Sequence, residues 1–257
     1  MLLGIGVRGN PPDPVNVPIL SSDGRLFYLL ALGAVALIAV LAQRAERARE
    51  ALAASRSRFV GQSIVPAPAT AWILPALTVL GAALLVARHH RPIEIAAATL
   101  LAATGVFASL TVRENLPVYV DGRVNPARVA HVVLTIAIAF VVLTLVFMFR
   151  MRTLVSGPAI MIVSLLLLIQ VHDGVDTWPV RKLAFGALGA VALAEITWAL
   201  NYWPPVGWYA GAILTVTFTG IALVSGAQMT GTLNRERALL FASATAGLLL
   251  ACTVLSW

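Results

Sequence analysis

The chain has 257 residues, 60% hydrophobic and only 11% charged, with a formal net charge of +7 and a mean hydropathy of +0.90. An ordinary soluble domain is about 45–50% apolar and about 25% charged, so charge this sparse excludes a water-covered globule and points to lipid as the main solvent. Seventeen of the eighteen basic residues are Arg, with Lys182 the exception, and they fall in short runs between apolar segments; such runs set membrane orientation, and nucleic acid is not expected as a partner. The single cysteine, Cys252, excludes an intramolecular disulfide and a cysteine-based zinc site.

Residues 1–25 form a Pro-rich lead-in, "PPDPVNVPILSSDG" at its centre, without helical periodicity. The opening "MLLGIGVRGN" places Arg8 after its apolar patch, the reverse of a signal peptide, so a retained extracytoplasmic segment is expected. Residues 26–257 read as one transmembrane helical domain. A helix needs about 20 apolar residues to cross the hydrocarbon core. Eight segments qualify: 26–43, 72–87, 95–112, 129–149, 153–171, 183–203, 208–226 and 238–257. The predicted fold class is therefore all-α, a polytopic transmembrane helix bundle of about eight spans.

Past the first segment, the stretch at about 44–58 is rich in Ala, Arg and Glu. All three are good helix formers, and Glu46/Arg49 and Arg47/Glu50 have helix-surface spacing. The first span is expected to continue there as a basic cytoplasmic helix. With the N-terminus outside, twelve basic residues fall in cytoplasmic connections and six in outer ones; the positive-inside bias then puts both termini on the extracytoplasmic side. Tyr202, Trp203, Trp208, Tyr209 and Trp257 all fall at outer span ends, where amphipathic rings prefer to lie.

In the sixth segment Glu195 lies about 18 Å beyond Leu183, deep in a core about 30 Å thick. A carboxyl there must face protein or water, or be neutral. The turn "WPPVGW" folds this helix back on the next, bringing Glu195 level with Thr215 and Thr217, whose hydroxyls can bond across a helix pair. Ala192, Trp198, Ala199 and Tyr202 share its face by 3.6-residue spacing. His131 and His172 mark the same end of successive segments, with Asp173 and Asp176 close behind. Imidazole and carboxylate together suit a divalent metal, and two helix-borne histidines suit a haem; a polar interfacial loop is expected at this helix end in any case and is the preferred reading. Gly186, Ala190 and Ala194, and again Ser243, Gly247 and Ala251, recur every four residues; such stripes let helices approach closely, within the chain or between subunits.

No nucleotide-binding loop, zinc-protease helix or serine nucleophile elbow is present in the sequence. The expectation is a non-catalytic accessory, structural or assembly subunit of a bacterial inner-membrane complex, requiring no cofactor. Its partners would be the bilayer and other membrane subunits or a second copy of itself. The alternative is a small proton- or cation-coupled transporter using Glu195 with Thr215 and Thr217.

Overall fold

The computed structural model describes residues 22–58, 70–88, 92–114, 126–149, 153–173, 179–202 and 207–255. Most of the Pro-rich N-terminal segment, His89, His90, Asp176, Trp203 and Trp257 lie outside them. Among the described residues every regular element is an α-helix: α1 (Ser22–Arg58), α2 (Ile73–Arg88), α3 (Pro92–Glu114), α4 (Pro126–Met148), α5 (Thr153–Val171), α6 (Pro179–Tyr202), α7 (Gly207–Met229) and α8 (Arg235–Leu255). Six of these are long and apolar enough to cross a bilayer, which makes the chain a multi-pass membrane protein. Helix α2, with 16 residues, and the apolar part of α5, Ser156–Val171, are shorter. At 1.5 Å per residue, α2 reaches about 24 Å.

The core lies where α2, α4, α5, α6 and α7 meet, around Leu74, Leu143, Leu168, Leu193, Leu214 and Phe218. Helices α1, α3 and α8 are peripheral, and α8 has no buried residue. Lipid is as apolar as leucine, so burying these side chains gains little by transfer; close van der Waals packing selects the arrangement. Glycine sits at the crossings for that reason. A Cβ at Gly189 of α6 would lie 2.6 Å from Leu168 of α5 and 2.7 Å from Ile221 of α7. One at Gly220 would lie 2.6 Å from Thr245, the residue through which α8 approaches α7. Pro75 falls in the first turn of α2, where no intrahelical bond needs its missing N–H.

Helix α1 runs without a break through the basic stretch at 44–58. Its 37 residues span about 55 Å, well beyond a bilayer core.

The α7–α8 turn is defined by hydrogen bonds. Thr232 N donates to Ala227 O at 2.9 Å and Gly231 N to Gln228 O at 3.3 Å, while Gly231 has φ of 66°. This is a helix C-cap closed through a left-handed residue. Asn234 Oδ1 then accepts from Arg237 N at 2.8 Å, capping α8. Nothing lies within 4 Å of a Cβ at Gly231, so replacement meets only the backbone penalty. Gly231→Ala is expected to lower stability by about 1–2 kcal/mol, measured by unfolding the detergent-solubilised protein.

Candidate functional site

Polar side chains gather at one end of the bundle, where α3, α5 and α7 finish and α4, α6 and α8 begin. Arg113, on the last turn of α3, is 9% exposed and reaches between two carboxylates. Its Nη1 donates to Asp173 Oδ2 at 2.6 Å, and its Nε donates to Glu46 Oε1 of α1 at 3.3 Å. Its Nη2 donates to the Thr70 hydroxyl at 3.1 Å, and that hydroxyl donates in turn to Asp173 Oδ2 at 2.8 Å. A guanidinium suits this position because its planar fork can meet several acceptors at once. The network ties α1, the approach to α2, α3 and the end of α5 together.

Beside it, His131 and Gln170 are each 1% exposed. The His131 ring donates from Nε2 to the Gln170 carbonyl at 3.0 Å, because a carbonyl can only accept. Thr135 returns its hydroxyl to the His131 carbonyl at 2.8 Å. His172, one residue past α5, donates from Nδ1 to Leu168 O. In the neutral ring Nε2 is then the acceptor facing the Ser225 hydroxyl of α7 at 3.0 Å, a hydroxyl that also lies 2.6 Å from Ile221 O. Burial pushes the His172 imidazole below its ordinary range; the carbonyls of Leu168 and Ala222 pull it up, and Lys182 and Arg128 push it down again.

Asp173 gives its carboxylate to Arg113 and Thr70, and both nitrogens of His172 are engaged. Among the described residues no group of three metal-ligating side chains forms. The arrangement braces helices together.

Glu195 is exposed on the outer surface of α6 and makes no hydrogen bond with the described residues; Trp198, Ala199 and Tyr202 are exposed with it. Thr215 and Thr217 are buried, and their hydroxyls donate to the carbonyls of Gly211 and Ile213 on their own helix. The depth-matched trio is thus not brought into hydrogen-bond contact. A crevice of about 680 Å³ between α6, α7 and α8 is lined by Thr217, Gly220 and Thr245, and Glu195 is not among its walls.

The small residues of α6 lie inward: Gly186 and Ala190 are buried, and Gly186 faces Leu165 and Ile169 of α5, with Ala194 half-buried. Those of α8 lie outward, since Ser243, Gly247 and Ala251 are exposed and nothing approaches Gly247 within 4 Å. The α8 face that meets α7 instead carries Phe241, Thr245 and Leu249.

The chain belongs to the family described as "Protein of unknown function (DUF5656)", whose model matches residues 13–255. No curated protein and no solved structure matches the chain.

Proposed function

We propose that the chain is a non-catalytic structural or assembly subunit of a bacterial cell-membrane complex, with eight spans and both termini extracytoplasmic. It would meet its neighbour along the outer face of α6. The observation that carries this reading is the pattern of that face. Leu188, Val191, Trp198 and Tyr202 are exposed together with Glu195, and positions 188, 191, 195, 198 and 202 alternate steps of three and four. That is the spacing of a seam between two helices, with the carboxyl at one of its inward positions. A single polar group at such a place fixes register, and a carboxyl left to lipid would cost about 2.5–3.5 kcal/mol. The outward small-residue stripe of α8 supports the same reading as a second close-approach surface.

The transporter alternative needs Glu195 beside Thr215 and Thr217 in a shared path. It draws no support from a carboxyl on the outer face and hydroxyls committed to their own helix.

The test is purification from native membranes in mild detergent. Wild type is expected to elute with a stoichiometric membrane partner or as a dimer. Glu195→Leu should reduce that association at least about tenfold, and Glu195→Gln, which keeps a hydrogen-bonding group, should reduce it less. A folded Glu195→Leu chain with unchanged assembly would refute the reading. So would ion-driven uptake abolished by Glu195→Gln while assembly stays intact.

A further inference from the structure

A second crevice, of about 450 Å³, opens at the polar end of the bundle between α4, α5, α7 and α8. Its inner walls are apolar, formed by Val132, Ile136, Leu223 and Phe241, and its volume is that of a small-molecule site. Two arginines line it, Arg128 at the start of α4 and Arg237 at the start of α8, and no carboxylate among the described residues lines it. Among the described residues neither arginine is within ion-pair distance of an acid; the acid nearest in sequence to its floor, Asp173, is held by Arg113. Both arginines are exposed.

Hydrogen bonds hold the Arg237 side of this rim. Arg237 Nη1 donates to Thr232 O at 3.2 Å, one of the five N–H donors that a guanidinium carries. Thr230 and Thr232 share a hydroxyl contact at 2.9 Å on the same edge. The C-cap at Gly231 and the N-cap at Asn234 hold the turn that carries them.

We propose that this crevice binds an anionic phospholipid, its phosphate between Arg128 and Arg237 and one acyl chain along Val132, Ile136 and Phe241. Charge complementarity selects the head, because two cations with no ion-pair partner among the described residues lie at the end of an apolar bundle, where headgroups lie. The walls select an amphiphile over a soluble anion, because a free phosphate would leave the apolar lining uncovered. Arginine pairs phosphate through two parallel N–H donors, and the crevice is lined by two such side chains.

The experiment uses the full chain purified in neutral detergent. Phosphatidylglycerol, phosphatidylcholine and inorganic phosphate are titrated separately, with thermal stability and lipid retention in native mass spectrometry as readouts. Phosphatidylglycerol should stabilise the wild type more than phosphatidylcholine does, and phosphate alone should not. Arg128→Gln/Arg237→Gln should weaken retention by about thirtyfold, the equivalent of about 2 kcal/mol at about 1 kcal/mol per arginine near a headgroup. Arg44→Gln/Arg47→Gln, which removes two exposed charges elsewhere, should retain the lipid. Arg128→Gln alone, which disturbs no described hydrogen bond, should give an intermediate loss and covers the case of a poorly folded double variant. Equal retention by wild type and the Arg128/Arg237 variants would overturn the proposal. So would equal stabilisation by phosphatidylcholine, or by phosphate alone.

Discussion

Arg113→Ala is expected to destabilise the protein by about 3–5 kcal/mol. The guanidinium is nearly buried and bonded to Asp173, Glu46 and Thr70. Truncation removes the cation and leaves two carboxylates facing each other's field across the space it filled. Breaking a buried pair by removing one member costs far more than the pair contributes, because the remaining charge keeps its desolvation penalty. Arg113→Lys keeps the charge but not the fork, and should fall between wild type and alanine. Asp173→Ala should also be costly, and the Arg113→Ala/Asp173→Ala double variant should lose clearly less than the two singles combined, since the second truncation relieves part of the first. Unfolding in mixed micelles, followed by far-ultraviolet circular dichroism, measures all four. A loss below about 1 kcal/mol for Arg113→Ala would mean that the network behaves as a surface ion pair.

Gly211→Leu should be the most disruptive change inside the apolar core. A Cβ at Gly211 would fall on the Thr144 hydroxyl, with Thr144 Cβ only 2.6 Å away. Thr144 is fully buried on α4, so it has nowhere to turn. The two helices must separate to admit a side chain, which loses packing along their whole contact. Overpacking of this kind typically costs about 1–3 kcal/mol, and a backbone-to-backbone approach lies at the upper end. Gly211→Ala should already be destabilising. Combining it with Thr144→Gly moves the side chain from one helix to the other and should restore much of the loss, as read by the same unfolding assay. A double variant no better than Gly211→Ala alone would show that the approach is set elsewhere.

All eight helices could be read from apolar runs and their length. The 72–87 segment, for example, matches Ile73–Arg88, and the basic stretch after the first span is helical through Arg58. Facing was far less legible. In water the apolar face of a helix points inward, but in lipid both faces are apolar, so periodicity carries little inside–outside information. Gly186 and Ala190 accordingly lie inward whereas Ser243, Gly247 and Ala251, with the same spacing, face outward. Glu195 was found by its depth, and its companions Trp198, Ala199 and Tyr202 share its exposed face; its turn away from Thr215 and Thr217 needed the packing of α6 on α5. Arg113 looked like a topological charge because it follows its apolar run directly. Its partners lie 60 and 67 residues away, at Asp173 and Glu46, and no local pattern announces them. Glu46 also has helix-surface spacing to Arg49, a local pattern that carries no sign of the bond to α3.

The same separations impose an order of events on synthesis. Glu46 precedes Arg113 along the chain, whereas Asp173 follows it by 60 residues. At roughly 5–20 residues per second, that delay is about 3–12 s. For that interval the newly inserted guanidinium has one acidic counterpart already made and one still to come. Until Asp173 has been made, Glu46 is the one carboxylate of this network present in the nascent chain, so the network can close only after α5 is delivered.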